Sequence, residues 1–131
     1  DLFRVAVAEV PFVDVVTTMS DPSLPLTVTE WEEWGDPRTS PMAEYILSYS
    51  PYDNTLPAAY PATFITAGLN DPRVSFHEPA KWIAKLRAVR SNDATLLMRC
   101  EMGAGHGGPS GRYEAWRDEA RVLTFQLVEL A

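Results

Sequence analysis

The second half of the chain alternates strand-like and helix-like segments, and this alternation constrains the fold more than any other feature. Residues 62–68 ("ATFITAG") form a short apolar, partly β-branched run, which is typical of a buried strand. Residues 77–90 then repeat apolar side chains at helical spacing, and residues 94–102 ("ATLLMRCEM") indicate another strand. A strand–helix–strand order predicts parallel strands with helices on the faces of the sheet.

The rest of the chain extends the same α/β pattern. Residues 4–16 ("RVAVAEVPFVDVV") predict a first buried strand that runs out at Pro11, and short helices are expected at 30–38 and 42–51. A long final helix is expected to bury a stripe made of Tyr113, Trp116, Ala120, Leu123, Leu127 and Leu130. We therefore expect residues 1–131 to form part of a single α/β domain.

Composition and charge exclude several classes of function. The net charge of −7 disfavours nucleic acid, because phosphates require a basic surface. We find neither an apolar run of about 18 residues, as a membrane span requires, nor a signal peptide. The single cysteine, Cys100, excludes an internal disulfide and favours a reducing compartment, so we predict a cytoplasmic protein. The first residues resemble the middle of a domain, which predicts further residues upstream.

Two loops that follow predicted strands carry ionisable residues. Asp71 lies in "GLNDPRV" and His106 in "GAGHGG", at what should be the carboxyl edge of the sheet, where ligands and catalytic groups collect. There, a carboxylate could accept the Nδ1–H of an imidazole and fix its tautomer. Ordinary turn roles remain open for both residues. Metal binding is disfavoured, because His77 opens a helix instead of lining this loop and there is no second cysteine.

A nucleophilic serine for such a pair is missing. The nucleophile elbow of α/β hydrolases has the pattern G-x-S-x-G and precedes the acid and the histidine. Ser110, in "GPSGR", fits neither the pattern nor the order. We predict that Ser110 is the N-cap of the last helix instead.

Several segments together resemble the prolyl oligopeptidase family of serine peptidases. They include "AEVPFVDVVTTM", "LPLTVTEWEEWGDPR", "YPATFITAGLNDPRV" and "GAGHGGPSGR", and they cover nearly the whole length. The resemblance implies the C-terminal part of an α/β-hydrolase catalytic domain. A β-propeller, the serine and the oxyanion-hole residues would lie upstream. It implies Asp71 as triad acid, His106 as triad base and Arg73 as a contact to the substrate backbone, with no metal and no cofactor. Without the resemblance, Arg73 would suggest an ion pair with a nearby surface carboxylate.

The acidic segment "EWEEW" adds a prediction about substrates. The segments resemble most closely the branch of the family that cleaves short peptides after arginine or lysine. That resemblance implies Glu30 and Glu32 as the carboxylates that bind the basic side chain, with Glu33 left to solvent or structure. Without it, the segment would suggest a solvated helix face. Two alternatives remain: a non-catalytic fragment that acts only in a complex, and another α/β hydrolase such as an esterase or acylaminoacyl peptidase.

Overall fold

Three parallel strands form the centre of the structure, which is a computed structural model and describes residues 2–131. The elements along the chain are β1 (Val5–Glu9), α1 (Val15–Ser20), α2 (Thr27–Trp34), α3 (Met42–Tyr49), β2 (Ala62–Gly68), α4 (His77–Val89), β3 (Leu96–Glu101) and α5 (Arg112–Leu130). The strands pair in the order β1-β2-β3, with Gly68 opposite Glu101 at the carboxyl end. The predicted α/β architecture with a parallel sheet is therefore confirmed.

The two faces of the sheet are covered by different helices. Successive side chains of a strand point to opposite faces, so Phe64 and Ile65 enter different clusters. Phe64 packs against Phe125 of α5, whereas Ile65 packs against Ile83 and Leu86 of α4. The apolar stripe predicted for α4 therefore faces the sheet as expected.

The first strand is shorter than the sequence predicted. β1 ends at Glu9, and the backbone of Val10 adopts a left-handed conformation with φ of 47°. Val10 still donates its N–H to the carbonyl of Thr66 at 3.0 Å, but Pro11 has no N–H and cannot continue the ladder. The predicted end at Pro11 thus lies two residues past the observed end, and the chain turns into α1 at Val15 and leaves the sheet.

Helices α1, α2 and α3 form a layer beside the sheet. Their shared cluster contains Val15, Met19 and Ile46, and the indole rings of Trp31 and Trp34 pack against it. The two tryptophans of "EWEEW" thus have a packing role inside this layer.

The prediction for α5 is wrong in two respects. Only Val122 and Phe125 of this helix are buried, and they lie against the sheet. The predicted stripe is exposed instead, because it lies on the side of the helix nearly opposite to Val122 and Phe125 and points away from the strands. Its residues are Tyr113, Trp116, Ala120, Leu123, Leu127 and Leu130. The N-cap is Gly111, with φ of 99° and no side-chain cap, so Ser110 does not cap the helix.

None of the helices within residues 2–131 is long and apolar enough to cross a membrane.

Candidate active site

Asp71 lies in the turn that follows β2, with its carboxylate enclosed by the turn itself. Its Oδ1 accepts the backbone N–H of Arg73 at 2.8 Å and that of Val74 at 3.1 Å. The side chain has no exposed surface. The loop closes because Asp71 donates its own N–H to the carbonyl of Gly68. The sequence "NDPRV" therefore forms a turn that also holds a carboxylate in a fixed orientation.

His106 lies in the loop after β3, and backbone hydrogen bonds connect this loop to the one that carries Asp71. Leu69 donates its N–H to Glu101 at 2.9 Å, and Asn70 donates to Ala104 at 3.0 Å. The approach is so close that a Cβ on Gly68 would lie 2.8 Å from the carbonyl oxygen of Ala104. Glycine at position 68 is thus what lets the two loops meet.

The two side chains meet as a hydrogen-bonded acid–base pair. His106 Nδ1 lies 2.9 Å from Asp71 Oδ2. Burial raises the pKa of Asp71, but the N–H donors of Arg73 and Val74 and the imidazole outweigh it, so the pKa lies below its ordinary value. The carboxylate is therefore ionised near neutral pH and can only accept, so Nδ1 carries the proton. That tautomer leaves Nε2 free to take a proton from a nucleophile.

A cavity of about 380 Å³ opens beside this pair. Its walls include both members of the pair together with Arg73 and Glu30. Arg73 is exposed and forms no ion pair with a carboxylate of residues 2–131, so its guanidinium is available to a ligand. Glu30 is half-buried in the first turn of α2. The structure thus brings Asp71, His106, Arg73 and Glu30 to one cavity.

Glu32 lies elsewhere. It is exposed and is absent from the residues that line the cavity. Residues two positions apart on a helix point to nearly opposite sides, so Glu32 points away from the cavity that Glu30 lines. The paired-carboxylate prediction therefore has support for Glu30 alone in this part of the protein.

Several lining residues had no part in the sequence prediction of the site. Phe12 and Thr18 reach the cavity from the segment around α1, and Glu78 reaches it from the first turn of α4. Phe12 and Thr18 were not found because no helix was predicted at Val15–Ser20, the element that positions them. The signal for Glu78 was an acidic residue in the first turn of a helix, which is too common to single out.

The described residues offer no alternative centre for metal chemistry. No group of three or more His, Cys, Asp or Glu side chains in 2–131 is arranged to hold a metal ion. Ser110, the serine nearest to His106 in the sequence, does not line the cavity.

Comparison with known proteins relates this arrangement to a family. The sequence model of the prolyl oligopeptidase family matches residues 1–131. Protease 2 from Moraxella lacunata is 55% identical over 130 residues, which cover 99% of this chain and 19% of that protein. Dipeptidyl aminopeptidase BI from Pseudoxanthomonas mexicana is 48% identical over 128 residues, 98% of this chain and 18% of that protein. The chain thus spans about a fifth of the length of these relatives.

A solved structure shares the fold over almost the same range. Oligopeptidase B from Trypanosoma brucei, in a closed form with covalently bound antipain, superposes with a TM-score of 0.96. Its sequence is 49% identical, and the match covers 98% of this chain and 18% of that one.

Proposed function

The chain belongs to the prolyl oligopeptidase family, and we propose that it is the C-terminal part of the catalytic domain of a serine endopeptidase. The observation that carries the proposal is the 2.9 Å hydrogen bond between His106 and Asp71 at the carboxyl edge of the sheet. The nucleophilic serine, the oxyanion hole and a β-propeller would belong to the part of the protein outside this sequence. We also propose a cytoplasmic location.

In the proposed reaction, this chain moves the protons. His106 Nε2 takes the proton of the serine hydroxyl as the serine attacks the peptide carbonyl, and then gives it to the leaving amine. Asp71 keeps the ring in the required tautomer and stabilises the imidazolium. The serine is then acylated. Water attacks this acyl-enzyme while His106 takes its proton, and the proton passes to the serine oxygen as the acid product leaves. Arg73 would donate its N–H groups to peptide carbonyls of the substrate.

We propose that the substrates are short peptides cleaved after arginine or lysine, with Glu30 binding the basic side chain. The carboxylate of Glu30 makes no hydrogen bond and no ion pair with the rest of residues 2–131, although Glu30 lines the cavity and is half-buried. A guanidinium that leaves water requires a carboxylate partner, and Glu30 offers one. For Glu32, binding of the same side chain stays a prediction.

A second candidate is removal of dipeptides from the amino terminus of a peptide. It is favoured by the name of the Pseudoxanthomonas relative, a dipeptidyl aminopeptidase 48% identical to this chain. The two activities differ in whether a free α-amino group is required two residues before the cleaved bond. An N-acylated arginyl amide separates them, since only the endopeptidase accepts it.

The experiment uses the full-length protein and two N-acylated chromogenic amides. One carries arginine before the cleaved bond, and the other carries citrulline, which has nearly the same shape without the charge. We expect hydrolysis of the arginyl amide with a kcat/KM at least about 100-fold above that of the citrullyl amide, because binding of the neutral analogue leaves the half-buried carboxylate of Glu30 without a cationic partner.

Glu30→Gln should remove most of this preference, mainly through KM, with little effect on citrullyl hydrolysis. Equal losses on both amides would argue for another α/β hydrolase, such as an esterase or acylaminoacyl peptidase. The 131-residue polypeptide alone should be inactive, because it lacks the serine. Turnover by the full-length protein separates an enzyme from a non-catalytic component of a complex.

A further inference from the structure

A buried carboxylate on α4 connects the two halves of the cavity wall. Glu78 is 3% exposed and follows the Asp71 turn at the start of α4. Its Oε2 accepts the backbone N–H groups of Val13 at 3.0 Å and Asp14 at 2.9 Å. Its Oε1 accepts the hydroxyl of Thr18 at 2.6 Å. Three donors from the segment that forms α1 thus converge on one carboxylate and offset the cost of burying it.

A second set of hydrogen bonds extends this connection from α1 to α2. Thr27 Oγ1 donates to the carbonyl of Thr18 at 2.9 Å, at the first residue of α2. Trp31 Nε1 donates to the carbonyl of Met19 at 3.0 Å. Glu30 lies between these two anchoring residues, so the position of its helix depends on α1. Polar contacts therefore connect α4 through α1 to α2, the helix that carries Glu30.

The same end of α4 also leads directly to the acid–base pair. Only six residues separate Asp71 from Glu78, and α4 is packed on the sheet through Ile83 and Leu86. Lys81, one turn after Glu78, forms an ion pair with Asp14 and adds another connection between α4 and α1. The turn that holds Asp71 and the contacts that hold α1 are thus both attached to the first turns of α4.

We propose that Glu78 is a positioning residue for substrate selection: it sets the place of Glu30 relative to Asp71 and His106 by holding α1 on α4. This inference rests on the proposed preference for basic side chains. Glu78 is fully engaged by its three donors, so it acts through Glu30 and not by binding substrate itself. Its loss should therefore weaken recognition of arginine far more than it weakens the chemical step.

The test measures the arginyl/citrullyl ratio of kcat/KM in variants of the full-length protein. Glu78→Ala should lower the ratio about tenfold, mainly by raising KM for the arginyl amide, since several polar contacts to α1 are lost. Glu78→Gln should stay within about threefold of the wild type, because an amide oxygen can still accept and its NH₂ can donate to Thr18. In a Glu30→Gln background, Glu78→Ala should cause no further loss of the ratio.

A second pair of variants covers the case in which Glu78→Ala does not fold. Thr18→Val removes the hydroxyl donor and should lower the ratio about threefold, whereas Thr18→Ser retains the donor and should preserve the ratio. Thr124→Val, on exposed α5, is the matched control for loss of a threonine hydroxyl and should leave both substrates unaffected.

Several results would overturn the proposal. One is a folded Glu78→Ala variant that hydrolyses both amides with equally reduced kcat/KM, and another is a Glu78→Ala variant that lowers the ratio as much with Glu30→Gln as without it. An unchanged arginyl/citrullyl ratio in Thr18→Val would also overturn the proposal. If Glu30→Gln abolishes the preference while the Glu78 variants leave it intact, the proposed function stands and the role of Glu78 fails. If the wild type shows no preference, both fail.

Discussion

The loops that carry Asp71 and His106 leave neighbouring strands at the same edge, but they are held in opposite ways. Asp71 has no exposed side-chain surface, and two backbone N–H groups of its own turn bind its carboxylate. His106 keeps 41% of its side chain exposed, and its ring is oriented by Asp71 alone within residues 2–131. The acid is thus positioned by its own turn, whereas the base depends on the acid. Substitutions in the two loops should therefore have effects of different kinds.

The largest effect should follow from removing the base. In the full-length protein, His106→Ala should lower kcat by about 10⁶-fold, because it removes the proposed base for the serine proton. Binding of the arginyl substrate should change little, which KM and an inhibitor titration would check. A loss below about 100-fold would remove His106 from the catalytic pair.

Asp71→Asn should have the next largest effect. The amide would donate to Nδ1 and hold the imidazole in the wrong tautomer, so kcat should fall by about 10⁴-fold while the fold persists. Pre-steady-state kinetics and circular dichroism on the full-length variant would check both parts. If Asp71→Asn retained near-normal kcat, His106 would be oriented by some group other than its aspartate partner.

Substitution at the contact between the loops should act on stability. In Gly68→Ala, the new Cβ would lie 2.6 Å from the carbonyl oxygen of Gly105, a backbone atom that can move only with its loop. We expect a loss of about 1–3 kcal/mol in the free energy of unfolding, measured by urea denaturation.

Gly103→Ala is the matched control for this substitution. No heavy atom lies within 4 Å of a Cβ at position 103, and its φ is not positive. We expect a change of less than about 0.5 kcal/mol. Equal losses in Gly68→Ala and Gly103→Ala would mean that close approach is not the reason for glycine at position 68.

The smallest effect should be a pH dependence of stability from Asp71. Its pKa in the folded protein is lowered, so the carboxylate contributes stability that is present above its unfolded pKa and is lost as the pH falls through the folded value. The stability deficit of Asp71→Asn relative to wild type should be constant above about pH 5 and shrink below about pH 4. A deficit that stays the same down to pH 3 would contradict the lowered pKa.

The parts of the fold that the sequence predicted well bury their apolar residues within this chain. Residues 62–68 and the stripe of α4 pack on each other, so periodicity and burial agree. Two features were predicted less well. Pro11 indicated where the first strand runs out, but β1 ends two residues earlier because Val10 is left-handed, a conformation rare for a β-branched residue. For α5, spacing identifies an apolar face but not which of two faces meets the sheet.

The candidate site was predictable where residues follow strand ends. Asp71 and His106 were found because parallel strands place their carboxyl ends at one edge. Glu30 and Glu32 were predicted together from the resemblance, and helical geometry separates them, with Glu30 alone at the cavity. Glu78 could not be found from the sequence, because its three donors come from residues about sixty positions earlier in the chain.

The backbone contact at Gly68 also bears on how such a protein can be re-engineered. Because Asn70 donates to Ala104, an insertion in either loop would shift both the acid and the base. By contrast, residues 21–26 between α1 and α2 are mostly exposed, and libraries placed there would leave the contact at Gly68 untouched. Directed evolution of new cleavage preferences should therefore diversify this connection and hold the two glycine-bearing loops constant.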